Sequence, residues 1–126
     1  MRLFKNKKFA QFALENGITD ARLCRAIKDA DKGLIEADLG GGVIKQRIAR
    51  ENEGKSGGYR TIIFYRKEDR AFFVYGFAKN DKANITQHEK KTLKAYANTV
   101  LDYSDKELKY KIKNNELIEI IYDKEI

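Results

Sequence analysis

The sequence predicts an α+β fold in which two N-terminal helices pack on a three- to four-stranded antiparallel sheet and C-terminal helices follow. Apolar residues recur at helical spacing before residue 33, and strand-like segments rich in aromatic and β-branched residues occupy residues 34–79. Two helix-start motifs then follow. A chain of 126 residues with 42% hydrophobic content suits one compact core, so we expect residues 1–126 to form one domain.

The first two elements are predicted to be helices. Residues 4–16 place Phe9, Phe12 and Ala13 on one face, and Gly17 supplies a stop. The second helix begins at a cap on Thr19 or Asp20 and ends before Gly33. Its apolar stripe consists of Leu23, Ala26, Ile27 and Ala30. Both helices are expected to pack on the sheet.

The sheet is predicted to begin with a hairpin. Residues 34–39 form its first strand, residues 40–42 are three turn glycines, and Val43–Ile48 form the second strand. In that second strand Ile44, Gln46 and Ile48 alternate with Lys45 and Arg47. Because successive side chains point to opposite faces, Lys45 and Arg47 share one face of the sheet.

A second hairpin is predicted from Tyr59–Arg66 and residues 71–79, joined by a charged turn. Strict alternation along its second strand assigns the side chains to two faces of the sheet. One face receives Phe73, Tyr75, Phe77 and Lys79, and the other receives Phe72, Val74 and Ala78. Both faces are apolar, which indicates helix cover on one side and a partly lined cleft on the other.

The C-terminal third contains two capping boxes. Thr86 with Glu89 starts one helix and Ser104 with Glu107 starts the next. Residues 117–122 are predicted to form a last extended segment. The single Cys24 excludes an intramolecular disulfide, and the chain has neither an apolar run of membrane length nor a cleavable leader, so we expect a cytosolic protein that does not bind membranes.

The net charge of +7 is concentrated in the strand region. Residues 41–82 carry ten basic and five acidic side chains, whereas residues 83–126 carry eight of each. A solvated lysine-rich surface is the simplest explanation of a basic excess. Its position beside turn glycines instead favours a polyanionic ligand.

Two glycine-containing segments carry most of this functional signal. The first is Lys55-Ser56-Gly57-Gly58-Tyr59-Arg60, and the second is Gly76-Phe77-Ala78-Lys79-Asn80. They place glycine turns, aromatic rings and cations at strand ends without the acidic clusters that a metal site needs, which is typical of a phosphate site. Gly57 and Gly58 either complete a turn or permit the backbone to approach a phosphate.

These two segments, with the apolar-basic strand before them, resemble the HigB-like branch of the RelE/ParE toxin superfamily. The resemblance covers roughly residues 34–97. It implies a bacterial type II toxin that cleaves mRNA in the ribosomal A site without metal or cofactor. It also implies neutralisation by a cognate antitoxin with a helix-turn-helix DNA-binding domain, through which alone the toxin would contact operator DNA.

The same resemblance implies catalytic roles for four cations. Lys45 and Arg47 match the basic pair near the scissile phosphate, and Arg60 matches the arginine that clamps it. We assign Lys45 as general base, which requires neighbouring cations and partial desolvation to lower its pKa. Lys79 would neutralise charge or protonate the leaving oxygen. We expect Arg60 and Lys79 to lie at strand ends outside the core, so that alanine substitutions abolish toxicity and leave the fold intact.

A wider set of residues is assigned to RNA binding, through ring stacking, turn backbone and surface charge. It comprises Lys55, Ser56, Gly57, Gly58, Tyr59, Phe77, Asn80 and Lys82. Core packing is the alternative for Phe77. Many relatives have a histidine or tyrosine acid near the last strand, and this chain has no evident equivalent; His88 and Cys24 are given structural roles.

The sequence is also consistent with two further functions. One is a ParE-like toxin that inhibits gyrase without nuclease activity, and the other is a noncatalytic basic RNA-binding domain. Neither requires the four cations to converge in one pocket. Their convergence therefore favours the nuclease.

Overall fold

The computed structural model describes residues 1–49, 58–78 and 85–121. These residues form six strands and four helices. The strands are β1 Arg2–Asn6, β2 Ala37–Gly40, β3 Val43–Ile48, β4 Tyr59–Arg66, β5 Arg70–Ala78 and β6 Leu117–Ile120. The helices are α1 Lys7–Glu15, α2 Asp20–Asp31, α3 Gln87–Val100 and α4 Asp105–Lys113.

All six strands join one sheet in the order β2-β3-β4-β5-β1-β6. Four of the pairings are antiparallel, and β1 lies parallel to β5. The α+β class is confirmed. The expected sheet of three or four antiparallel strands is too small, because the two ends of the described chain add β1 and β6 to one side of it.

The first helix begins later than the apolar pattern predicts. Leu3 and Phe4 are fully buried and belong to cores on opposite faces of the sheet, which is the two-sided burial of a strand. The carboxamide oxygen of Asn6 then accepts a hydrogen bond from the Phe9 backbone N–H at 2.8 Å and caps α1. A two-sided apolar strand that runs directly into an amphipathic helix accounts for the wrong boundary.

Two apolar cores cover opposite faces of the sheet. The first lies beneath α1 and α2 and includes Leu23, Ile44 and Phe73. The second lies beneath α3 and α4 and includes Phe64 and Val100. On the second face the core includes Val43 of β3 and Ile62 and Phe64 of β4, so polar side chains of that face lie toward the end of β3 and the start of β4.

The cap predictions are confirmed. Thr19 caps α2 by accepting from the Arg22 backbone N–H, and both C-terminal helices begin with reciprocal capping boxes at Thr86 and Ser104. Gly17 and Gly33, which follow α1 and α2, have φ angles of +65° and +80° that favour glycine. Among the described residues, no helix is long and apolar enough to cross a membrane.

A bulge corrects the predicted faces of β5. Ile62 of β4 is in register with Tyr75, but the next residue, Ile63, is in register with Phe73, so Val74 is the extra residue. Phe73 therefore lies in the first core, whereas Val74 and Tyr75 both contact the second. The assignment of Phe73 to the same face as Tyr75 and Phe77 was wrong, because simple alternation assumes an unbroken strand.

Candidate phosphate-binding site

Three of the four predicted catalytic cations lie together on one face of the sheet. Val43 of β3 and Ile62 of β4 belong to the second core. Lys45 and Arg47 follow Val43 at intervals of two residues, and Arg60 precedes Ile62 by two, so all three share that face. The register pairs Arg47 directly with Arg60. Like charges placed opposite each other repel, so this arrangement needs a counter-charge.

Glu36, at the bend before β2, supplies that charge. Its Oε1 accepts hydrogen bonds from Nε of Arg47 at 2.7 Å and from Nε of Arg60 at 3.0 Å. Its Oε2 lies 3.6 Å from Nζ of Lys45. One carboxylate thus contacts three cations, and we call these four residues, Glu36, Lys45, Arg47 and Arg60, the cation cluster.

The cation cluster is graded in depth. The Arg47 side chain is 43% exposed, whereas those of Lys45 and Arg60 are 14% and 7% exposed. Arg47 therefore forms the rim and Arg60 the floor. Arg60 stands near the start of its strand as expected, but its burial contradicts the expectation that it lies outside the core.

The pKa of Glu36 is lowered in the folded protein. Burial of the carboxyl group acts in the opposite direction and is the largest single influence. The hydrogen bond from Arg47 and the positive charges of Lys45, Arg60 and Arg47 together outweigh it. Glu36 is therefore an anion at neutral pH, and the cation cluster carries a net positive charge.

The two aromatic residues predicted to bind RNA lie on different faces. Phe77 is in register with Arg60 on the cluster face, and its ring lies 5.6 Å from that of Tyr75. Tyr59 lies in the first core with its ring edge-on to Phe12. Its contact with α1 leaves 8% of Tyr59 exposed, so the structure does not bring it to the cluster.

Steric constraints within the sheet explain why residue 58 is a glycine. A Cβ atom on this residue would lie 2.1 Å from the carbonyl oxygen of Ile48 and 2.9 Å from Cα of Ala49. Only glycine permits the end of β3 and the start of β4 to approach so closely. The glycine brings the Arg47 and Arg60 strands together, which explains it without direct contact to a ligand.

The remaining predicted site residues lie outside the described residues. They are the catalytic candidate Lys79 and the RNA-binding candidates Lys55, Ser56, Gly57, Asn80 and Lys82. Their assignments stay predictions. Within residues 1–49, 58–78 and 85–121, no group of three or more histidine, cysteine, aspartate or glutamate side chains is arranged to hold a metal ion.

A concavity lined by both basic and acidic side chains adjoins the cation cluster at Arg47. It has a volume of about 300 Å³, and Arg22 and Arg25 of α2 line it together with Arg47 and Asp29. Arg22 donates a hydrogen bond to the Ala49 carbonyl at 2.8 Å. Arg47 therefore belongs both to the cluster and to the lining of this groove.

Sequence reasoning missed Glu36 as a member of the site. Counting register back from the glycine turn places residue 36 opposite Gln46, which faces the first core and donates to the carbonyls of Ala26 and Leu34. The chain bends at Glu36 before β2, and this turns its side chain to the cation face. The sequence did contain one signal for this role. Glu36 is an acidic residue just before β2, and the strand that pairs with β2 carries the cations Lys45 and Arg47.

The fold and the cation cluster define a small basic α+β domain with three cations and one carboxylate grouped on one face of its sheet. A family model described as the RelE toxin of the RelE / RelB toxin-antitoxin system matches residues 1–120. The chain belongs to the RelE toxin family. The expected membership of the RelE/ParE superfamily is thereby confirmed, and with it a toxin class that has a partner antitoxin.

Proposed function

We propose that residues 1–126 act as one toxin domain that cleaves mRNA, belonging to the HigB-like branch of the family. RelE family toxins are typically endoribonucleases. The observation that carries the proposal is the convergence of Lys45, Arg47 and Arg60 on one carboxylate. Three cations at 2.7 to 3.6 Å from the oxygens of a single anion form a site of the size and charge that a phosphodiester requires.

The proposed reaction is an intramolecular transesterification. The 2′-oxygen of one nucleotide attacks the adjacent phosphorus, and the bond from phosphorus to the 5′-oxygen breaks. The 2′-hydroxyl loses its proton to a base, and the leaving 5′-oxygen gains one from an acid. The products are a 2′,3′-cyclic phosphate and a free 5′-hydroxyl. Stabilisation of the dianionic phosphorane is the largest contribution that fixed cations can make.

We propose different tasks for the two arginines because their exposures differ. Arg47 is accessible and shared with the α2 groove, so it meets the RNA backbone first. Arg60 is buried and fixed by Glu36, so it stabilises the phosphorane with little reorganisation. The ring of Tyr75, which is half-buried, lies on the same face and can accept a neighbouring base, whereas Phe77 is 5% exposed and packs against it.

Lys45 is proposed as the general base, and Lys79 as the group that protonates the leaving oxygen or neutralises its charge. The alternative role of Lys45 is purely electrostatic. Lys45→Arg distinguishes the two, because arginine keeps the positive charge and cannot give up its proton. A base role predicts an inactive variant whose loss is not recovered at high pH, whereas an electrostatic role predicts substantial retained activity.

The proposed partners follow from the same family. They are a cognate antitoxin with a helix-turn-helix domain, the ribosome, and mRNA in the ribosomal A site, with operator DNA contacted only through the antitoxin. The basic groove on α2 supports contact with an RNA backbone beyond the scissile phosphate. We place the active toxin in the bacterial cytoplasm, where these partners are found.

Induced expression in bacteria tests the proposal. Primer extension on an abundant mRNA should show new 5′ ends with wild-type protein and not with Arg47→Ala, and a parallel assay should show unchanged plasmid supercoiling. Intact messages with disturbed supercoiling would instead indicate a gyrase inhibitor. Growth arrest with neither effect would indicate a noncatalytic RNA-binding domain.

A further inference from the structure

Glu36 holds both arginines of the cation cluster by the same atom. Its Oε1 accepts from Nε of Arg47 at 2.7 Å and from Nε of Arg60 at 3.0 Å. A guanidinium group has five N–H donors arranged in a planar fork, and Nε carries only one of them. These two hydrogen bonds therefore fix the plane of each guanidinium group and use one of its five donors.

Arg60 also has a terminal nitrogen that the described protein leaves without an acceptor. Its Nη1 is buried and has no hydrogen-bond partner among the described residues, and the side chain as a whole is 7% exposed. Buried donors in folded proteins are nearly always paired, because an unpaired donor loses its hydrogen bonds to water and gains none in return. An anionic ligand bound in the cluster would supply the missing acceptor.

We infer that Glu36 is a positioning residue that aims the terminal N–H groups of Arg47 and Arg60 at the non-bridging oxygens of the scissile phosphate. This inference rests on the proposed function and specifies how the phosphate is held. The Nε atoms stay on the carboxylate, and the terminal nitrogens bind the phosphate. Lys45, whose Nζ lies 3.6 Å from Oε2, completes the ring of charge around Glu36.

Charge balance supports this arrangement. Arg47 and Arg60 are direct cross-strand neighbours whose charges repel, and their two hydrogen bonds to Glu36 hold the guanidinium groups in place against that repulsion. With the anion present, the cation cluster has an excess of two positive charges. That excess matches the two negative charges of a phosphorane, so Glu36 converts three repelling cations into one preorganised site.

A pair of substitutions separates positioning from proton transfer. Glu36→Gln keeps an oxygen acceptor for both Nε atoms and removes the charge, whereas Glu36→Ala removes both. We expect Glu36→Ala to lower kcat about 100-fold, the loss typical of misplaced catalytic groups. We expect Glu36→Gln to stay within about tenfold of wild type, because a neutral hydrogen bond is roughly half as strong as a charge-assisted one. KM should not rise in either variant, because each loses a negative charge beside the phosphate site.

Glu119 provides a matched control. It is also a glutamate that accepts from an arginine Nε, at 2.9 Å from Arg2, but it lies on β6 at the other edge of the sheet. Glu119→Ala should leave kcat and KM unchanged. Circular dichroism and thermal unfolding of each variant would identify a loss of activity caused by a loss of fold.

Kinetic outcomes that overturn the inference are distinct from failure of the proposed function. A folded Glu36→Ala protein with wild-type kcat would show that Glu36 positions nothing. A folded Glu36→Gln protein as inactive as Glu36→Ala would show that the carboxylate takes up the proton itself. If the wild-type protein cleaves no RNA, on or off the ribosome, the proposed function fails instead.

A second readout tests positioning without cleavage. Nitrogen NMR with an oligonucleotide made uncleavable by a 2′-deoxy substitution reports the arginine side chains directly. The Nε–H signals of Arg47 and Arg60 should be protected from exchange in wild type and Glu36→Gln and lost in Glu36→Ala. Adding the oligonucleotide should slow exchange at the Arg60 terminal nitrogens in the first two proteins only. Protection that is equal in all three proteins would refute the inference.

Discussion

Removal of Arg60 should destabilise the protein much more than removal of Arg47, although both donate to the same oxygen of Glu36. The Arg60 side chain is 7% exposed and that of Arg47 is 43% exposed. Breaking a buried ion pair costs about 3–5 kcal/mol when the remaining charge is left alone. After Arg60→Ala, Glu36 keeps Arg47 and Lys45, so we expect the free energy of unfolding to fall by about 2 kcal/mol. Arg47→Ala removes an exposed pair and should cost less than about 1 kcal/mol.

Urea unfolding followed by far-ultraviolet circular dichroism measures both values. The dependence of the unfolding free energy on urea concentration should be the same in the three proteins, which would show that the unfolded state is unchanged. Equal losses in the two variants, or a larger loss for Arg47→Ala, would refute the assignment of Arg60 to the floor of the site. The expected difference also means that loss of toxicity in Arg60→Ala alone does not separate chemistry from folding, and that Arg47→Ala is the cleaner test.

Three further predictions follow from individual contacts. The pKa of Glu36 is lowered below its usual 4.5, so its ionised form stabilises the folded state fully above about pH 5, and this stabilisation is lost as pH falls through the folded-state pKa. Glu36→Gln should therefore flatten the acidic part of a stability profile measured by urea unfolding at a series of pH values. An unchanged profile would contradict the lowered pKa. A Cβ atom at position 76 would lie 2.4 Å from the Phe12 ring, so Gly76→Ala should lower the free energy of unfolding, measured by thermal unfolding, by about 1–3 kcal/mol. Adding Phe12→Leu should recover part of that loss. No recovery would show that the strain arises from another contact. Thr86→Ala removes the hydroxyl group that accepts a hydrogen bond from the Glu89 backbone N–H at 3.1 Å, so the free energy of unfolding should fall by about 1 kcal/mol. An unchanged melting temperature would show that the first turn of α3 contributes nothing to stability.

The sequence was sufficient to predict the elements whose signals are local. The caps at Thr19, Thr86 and Ser104 and the glycine stops depend on a few consecutive residues, and the structure confirms them. The shared face of Lys45 and Arg47 depends only on the period of a strand and is also confirmed. The β1 strand was missed because its partners, β5 and β6, lie more than 60 residues away in the chain, and no local pattern reports such pairing.

The composition of the site needed three-dimensional information. Position along a strand indicated which cations could converge, but the burial of Arg60 depends on its neighbours across the sheet, and the contribution of Glu36 depends on one backbone bend. Tyr59 was assigned to RNA binding because its ring could stack on a base, yet it neighbours Arg60 in the strand and therefore points to the opposite face. Adjacency in sequence was therefore the weakest guide to shared function in this protein.

Cleavage of ribosome-bound mRNA by purified protein tests most directly the claim that the cation cluster is a ribonuclease site. Wild-type toxin and Arg47→Ala, matched for native circular dichroism, would be added to ribosomes carrying a labelled message, and the ends of the products would be identified chemically. We expect fragments with a 2′,3′-cyclic phosphate and a 5′-hydroxyl from the wild type, and a rate reduced at least tenfold in Arg47→Ala. Equal cleavage by both proteins, or no cleavage by a wild-type protein that still arrests growth, would contradict that claim.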